Sequence, residues 1–292
     1  MDLIEKAAAR LAQQESKSTK SGEQRTSSIP ADDTPNIVKP LPLTSVTDES
    51  IDLVLDIQRL AQQGMVLPDA ERSRIKEEYR HIKRPLLMSA AGKGTSVLNH
   101  ANLIMVTSAH PGEGKTFTAA NLALSIAAER DKTVLLVDCD VVRPSLGGLL
   151  GYKAQKGLVD YLINSDQELS ELIMKTDLPT LSVLPAGNPH HLSTELLASD
   201  SMQQLTAELS SRYSDRIVIF DSPPLLATTE SCVLAHLMGQ IVIVVEAERT
   251  TKADVREALD RLGSLPETAV GFVLNKTRHE GDVNYYGYGY GY

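Results

Sequence analysis

Tryptophan is absent from this 292-residue chain, phenylalanine occurs three times and cysteine twice. Two cysteines, Cys139 and Cys232, cannot form a disulfide framework. Each lies in an apolar run, so both read as reduced core thiols of a cytosolic protein. No apolar stretch approaches the ~20 residues of a membrane span. The N-terminus lacks the basic start and apolar run of a secretory signal. Positive charge is in deficit: 29 Lys and Arg stand against 38 Asp and Glu, a net −9, which disfavours general nucleic-acid binding. Aromatic residues are few except in one respect. Of nine tyrosines, five (Tyr285, Tyr286, Tyr288, Tyr290 and Tyr292) fall within the last eight residues, and a core is not built that way.

What is present divides into three parts. Residues 1–50 hold a short helical pattern (Leu3, Ile4, Ala7, Leu11) followed by a linker. Sixteen of the 36 residues at 15–50 are Ser, Thr or Pro, too polar a composition to offset ordering entropy, so disorder is expected. Residues 51–276 form the folded domain. The stretch 51–63 has helical character with Gly64 as a stop, and a charged helix over about 69–84 is expected to end at Pro85. That helix is either a solvated face laced with weak ion pairs or a subunit contact. Residues 277–292 form a Gly- and Tyr-rich tail, expected to be disordered.

From residue 102 onward, apolar β-branched runs alternate with helical stretches. The runs lie at 102–107, 133–137, 181–184, 216–220, 240–245 and 269–274, and the helices near 115–130, 157–164, 193–213, 228–238 and 252–263. Runs apolar on both faces suit a parallel sheet covered on each side. The fold class is therefore α/β, a doubly wound and mostly parallel sheet whose ligands bind at the carboxyl ends of the strands.

Three motifs sit at such ends. Ala109 to Thr116 (AHPGEGKT) follows a strand and opens a helix, as a phosphate-binding P-loop must. Gly112 and Gly114 let the backbone wrap phosphate oxygens, the helix N-terminus points amides at the anion, Lys115 brings positive charge and Thr116 a hydroxyl for Mg²⁺. Ala109 replaces the usual first glycine, which requires only that its φ be negative. The bland alternative is a chance Gly-rich turn. Next, Asp138 and Asp140 leave the second strand ahead of Arg143-Pro144; they could hold Mg²⁺ or accept a proton, or merely terminate the strand. Third, Ile217–Phe220 ends in Asp221, the form of a Walker B strand whose acid binds Mg²⁺. The order of the three is stronger than any one and points to Mg-nucleotide binding. Asn275-Lys276 closes the last strand where a base could bind. His190-His191 reads as a solvated pair, and no Cys/His cluster has metal-ligand spacing. The tail is either a sticky aromatic segment or, at up to ~50 Å of reach, able to enter a neighbouring subunit's site.

With PGEGKT at 111–116, VDCDxxRP at 137–144, VIFDSPP at 218–224 and the terminal tyrosines, the chain resembles the bacterial tyrosine kinases, P-loop autokinases of polysaccharide export. The likeness covers about 70–292. It is similar in EEYRHIKRPLL at 77–87 and in the start MDLIEK to tyrosine autokinases associated with exosortase and exopolysaccharide clusters. The resemblance implies an ATP·Mg²⁺ site with Lys115, Asp138 and Asp140 as catalytic residues and Asp138 as the base. It implies Thr116, Asp138 and Asp221 at the metal, and Pro111, Gly112, Glu113, Gly114, Lys115, Thr116, Phe117 and Arg143 at the nucleotide, where Asn275 joins them by its place at the end of the last strand. The phosphoacceptors would be Tyr285, Tyr286, Tyr288, Tyr290 and Tyr292, modified in trans. Ring-like self-association would use Glu77, Arg80 and Lys83, where Lys83 stands in place of the family's arginine and cannot make its bidentate fork. The implied partners are a membrane activator of the chain-length-determinant type and a tyrosine phosphatase, with the protein cytoplasmic and peripheral to the inner membrane. The rival readings are a partition or site-determining ATPase, which would carry a lysine where His110-Pro111 stands and needs no tyrosine tail, and a non-enzymatic ATP-binding scaffold.

Overall fold

The computed structural model describes residues 51–67, 73–94, 98–153, 156–164, 167–212 and 215–278. The expected N-terminal helix and linker, the residues 69–72 of the expected charged helix and the tyrosine cluster lie outside the described residues.

Seven strands form one sheet: β1 (Leu103–Ser108), β2 (Thr133–Asp138), β3 (Met174–Lys175), β4 (Leu181–Leu184), β5 (Arg216–Asp221), β6 (Gln240–Glu246) and β7 (Ala269–Asn275). Their order is β3-β4-β2-β5-β1-β6-β7. Every pairing is parallel except β3 with β4, a two-residue antiparallel edge that the sequence reading did not foresee. The expected apolar runs match the six parallel strands to within a residue or so at each end. β1 is an interior strand, flanked by β5 and β6, and its connection to β2 crosses β5. That reversal of winding is where an open α/β sheet leaves a crevice at its carboxyl edge.

Alternate residues of the central strands feed two cores. Leu103, Met105, Leu135, Val137, Val218 and Phe220 face one, and Ile104, Val106, Leu136, Ile217 and Ile219 the other. The second core is sealed by α3 (Lys115–Ala127), whose residues Thr118 to Ala127 are all buried. A helix apolar nearly all round is what a central crossover position selects.

Two expectations fail before the P-loop. Residues 51–56 are extended instead of helical, and α1 covers only Ile57–Gln62, capped by Asp56 Oδ1 on the Arg59 amide at 3.0 Å. The extended piece lies along the β3 edge: Leu53 bridges Thr176 in parallel, and the Leu55 amide donates to Asp177 Oδ1 at 3.0 Å. Leu53 and Leu55 are buried while Asp52 and Val54 are exposed, so the burial period is two. Gly64, with φ 72°, ends α1 as expected, and the Met65 amide reaches back to the Leu60 carbonyl at 3.0 Å.

α2 runs from Arg74 to Ala90 and passes through Pro85 instead of ending there. Ser73 Oγ caps it by accepting from the Lys76 amide. The proline removes the bond to the His81 carbonyl, but His81 is exposed, so water takes that bond and the packed face need not break. That face holds Tyr79, whose burial pushes its phenol pKa up to about 12. Farther on, the expected helix at 193–213 is two: α6 (Ser193–Leu196) and α7 (Asp200–Arg212), with Ser199 at the break accepting from the Met202 amide. The remaining helices are α4 (Leu146–Leu150), α5 (Leu158–Ile163), α8 (Glu230–Ala235) and α9 (Lys252–Leu262). No helix among the described residues is long and apolar enough to cross a membrane.

Candidate nucleotide site

Three strand ends deliver the chemistry to one place. The P-loop leaves β1 with Ala109 buried at negative φ, then turns at Gly112 (φ 86°) and Gly114 (φ 100°). A side chain at Gly114 would collide with the Asn275 amide in addition to its backbone strain, so glycine is required twice over. Asp138 and Asp221 are register partners on the adjacent strands β2 and β5, which sets the two carboxylates side by side. Lys115 Nζ lies 2.6 Å from Asp140 Oδ2 and 3.9 Å from Asp221 Oδ1. All four side chains are buried.

The charges do not cancel. Two unit charges so close in a shielded site interact strongly, and three acids face one lysine. Burial would lower the lysine's pKa, but Asp221 and Asp140 outweigh it and hold the ammonium above its usual value. Burial and then the charges of Asp221 and Asp140 push Asp138 well above the usual carboxylate range. Burial pushes Asp221 up to about 6, against the pull of Lys115. Asp221 is 0% exposed, and neither carboxylate oxygen has a hydrogen-bond partner among the described residues.

A buried carboxylate without hydrogen bonds, sharing one lysine with two other acids, is costly unless further positive charge is supplied. Oxygen donors from Thr116, Asp138 and Asp221 around such a vacancy of charge fit Mg²⁺, which is bound through one or two carboxylates with water and phosphate completing its shell. Among the described residues no three His, Cys, Asp or Glu side chains form a cage that would hold a metal by themselves. Over the site opens a cleft of about 430 Å³, lined by Pro111, Gly112, Lys115, Asp140, Arg143 and Pro223 among others. That is within the range of small-molecule sites.

Several expected residues take unexpected positions. Glu113 is buried and turned away from the cleft: it accepts the His110 amide at 2.9 Å and the Thr250 hydroxyl, bracing the loop from behind. Phe117 packs its ring towards the core beneath α3, so it offers the phosphates only its backbone amide. Asn275 Nδ2 donates to the Glu113 carbonyl at 2.9 Å. Lys276, at φ 58°, reaches the Gly112 carbonyl at 2.7 Å and Glu246 at 3.1 Å. The β7 end is thus a clamp on the P-loop, and Thr250, Glu246 and Ser145, which meets Thr116 Oγ1 at 2.9 Å, complete a shell that sequence reading missed. Each contact spans 29 or more residues, and no local pattern announces them.

On α2, Glu77 and Arg80 pair at 2.7 Å and stay partly exposed. Lys83 is different. It is 7% exposed, donating to the Ser125 carbonyl and to Glu129, each at 2.6 Å. Of the three residues expected to join subunits, it is already spent within its own chain.

Residues 101–269 match the family described as an AAA domain. Tyrosine-protein kinase YwqD of Bacillus subtilis is 29% identical over 228 residues, 77% of this chain and 92% of YwqD. The crystallised VpsO kinase domain superposes with a TM-score of 0.56 at 30% identity, covering 70% of this chain and all of that one. The chain belongs to the bacterial tyrosine kinases. Within that family it is also similar to ExoP of Rhizobium meliloti, a succinoglycan biosynthesis transport protein, at 32% identity over 234 residues, 79% of this chain. It spans 28% of ExoP, and about a quarter of the length of most of the curated relatives it matches. For this family member the described residues hold the P-loop and both acidic strand ends.

Proposed function

We infer that this chain is an ATP-dependent tyrosine autokinase that modifies its own cluster at Tyr285, Tyr286, Tyr288, Tyr290 and Tyr292 in trans. The observation that carries the reading is the fully buried Asp221, without a hydrogen-bond partner among the described residues, beside the Lys115–Asp140 pair at the carboxyl edge of the sheet. A site so built is poised for a metal-bound polyphosphate. Bound Mg²⁺ would neutralise charge on the β- and γ-phosphates.

The chain's own residues do the rest. P-loop amides and Lys115 orient the triphosphate. A tail phenol, with a pKa near ~10, needs help to lose its proton. Asp138, buried at the end of β2 with the charges of Asp221 and Asp140 beside it, has its proton affinity raised above that of an ordinary carboxylate and is the acceptor in this reading. The phenolic oxygen bonds to the γ-phosphorus, the bond to the β–γ bridging oxygen breaks, ADP leaves and the proton passes to Asp138. Positioning and electrostatics supply most of the rate.

The likeness to ExoP supports a role in the synthesis, polymerisation and export of an exopolysaccharide. The same reading includes a membrane activator of the chain-length-determinant type, a ring-like homo-oligomer using Glu77 and Arg80, and a phosphatase that resets the tail. It places the protein in the cytoplasm, held at the inner membrane through its activator. Each phosphate adds about −1.5 to −2 charges. Crowding of such charges repels neighbouring tails and loosens the ring. The test is incubation with ATP·Mg²⁺ and the activator segment, followed by mass spectrometry of residues 285–292. Phosphate on the tail, absent from Lys115→Met, is expected; an unmodified tail refutes the kinase reading, and a modified Lys115→Met protein points to a contaminating kinase.

A further inference from the structure

The two edges of the sheet are finished differently. At β3 the extended segment through Leu53 crosses the edge and occupies the Lys175 carbonyl. At β7 no strand pairs with the outer side among the described residues. Natural edge strands are usually blunted by lysine, proline or an inward charge. Strand β7, AVGFVLN, contains none of these. Moreover, Val270, Phe272 and Leu274 are 38%, 52% and 62% exposed. Alternating along the strand, they share one face. They lie beside Ile241, Ile243 and Val245 of β6 and so continue the first core into solvent.

The chain carries a matching strand just downstream. Tyr286, Tyr288, Tyr290 and Tyr292 alternate strictly with Gly287, Gly289 and Gly291. A period of two is the strand period, and it would put every one of these rings on one face and every glycine on the other. We propose that residues 285–292 dock on the free edge of β7 in their own chain as an added antiparallel strand, with the tyrosine rings laid over Val270, Phe272 and Leu274. Tyr286 then stands opposite Leu274, Tyr288 opposite Phe272 and Tyr290 opposite Val270, a register that one two-residue shift preserves and a one-residue slip destroys. On the far face the glycines need no room, and there α2 comes close: Pro85 and Leu86 face Gly271 and Val273 across a cleft of about 300 Å³.

The reach is sufficient. Lys276 is left-handed, so the chain already turns as β7 ends, and Arg278 lies 3.9 Å from Glu248 beyond β6. From there to the outer side of β7 is about two strand spacings, roughly 10 Å. The six residues 279–284 can span up to ~20 Å. Docked in this way the tyrosines are withheld from any active site, and a phosphate on Tyr288 or Tyr290 cannot lie over the apolar stripe, so modification releases the strand. This regulatory meaning rests on the reading of the tail as phosphoacceptor; the docking itself does not.

The experiment is hydrogen–deuterium exchange on the full chain without nucleotide, at two concentrations tenfold apart. The expected result is that amides of Val270–Leu274 exchange at least about tenfold slower than in a Tyr286→Ser/Tyr288→Ser/Tyr290→Ser variant, equally at both concentrations. Protection of residues 286–290 should vanish in Phe272→Lys, a substitution at an exposed position that the fold tolerates. Equal exchange in parent and triple variant overturns the proposal, and so does protection that grows with concentration, which would place a second copy on the edge. With ATP·Mg²⁺ and activator, Phe272→Lys should acquire tail phosphate several-fold faster than the parent; an unchanged rate overturns the withholding role. If neither protein is phosphorylated the autokinase reading fails, and the exchange data still decide the docking.

Discussion

Replacing Asp221 by asparagine should stabilise the nucleotide-free protein while abolishing its chemistry. The carboxylate is fully buried, has no hydrogen-bond partner among the described residues, and has its pKa pushed from 3.8 up to about 6. A shift of about 2 units corresponds to about 3 kcal/mol of folding free energy, spent on keeping the group ionised at neutral pH. The asparagine amide also lacks ready partners, which returns a part of that, so a net gain of about 1–3 kcal/mol is expected. For a domain of this size that raises Tm by about 2–10 °C. Lys115 is not orphaned by the change, because Asp140 still holds it at 2.6 Å. The pH dependence gives the sign. An acid whose pKa is raised by folding binds its proton more tightly in the folded state, so the wild type gains stability as pH falls from about 6 towards 4. The advantage of Asp221→Asn is therefore full above about pH 6 and fades towards pH 4. Thermal unfolding at pH 7.5 and 4.5 measures both, and ADP·Mg²⁺ should raise the Tm of the wild type alone. A variant less stable than the wild type at pH 7.5, or a difference that ignores pH, would refute the reasoning.

Gly114→Ala should lower nucleotide affinity at least about tenfold, since the new methyl displaces Asn275 and strains a left-handed residue; equilibrium dialysis with labelled ATP reads this out. Lys83→Ala should cost about 1–3 kcal/mol in urea unfolding, because the buried Ser125 carbonyl loses its donor; a cost near zero would mean that the contact is not sustained. Arg80→Ala should leave Tm within about 1 °C, its ion pair with the partly exposed Glu77 being worth little, yet reduce the assembly mass by light scattering; an unchanged mass removes α2 from the subunit contact.

The parts of the site legible in the sequence are those that a strand delivers to its own end. Asp138, Asp221 and the P-loop each follow a short apolar run, and parallel strands all release their chemistry at the same edge. What stayed hidden was made by the fold at long range. Nothing local marks Lys276 as a ligand of the Gly112 carbonyl 164 residues away, or turns Glu113 from the nucleotide towards Thr250. Lys83 was expected at a subunit contact because it holds the last place of the motif that the resemblance supplies. Its burial depends on α3 packing there and offering the Ser125 carbonyl. The segment 51–56 was misread for a different reason. Asp52-Leu53-Val54-Leu55 fits either period over so few residues, and only the β3 edge, with Lys175 and Asp177 ready to bond, decides for the extended form.

That edge segment also fixes a timetable. Leu55 must wait for Asp177, 122 residues later in the chain, before it can dock. At a synthesis rate of about 5–20 residues per second the wait is roughly 6–24 s. Meanwhile Leu53 and Leu55, both buried in the finished fold, have no edge to dock on. The start of the described domain is thus among the last of its parts to find its place, and its two waiting leucines are a natural early client for a chaperone.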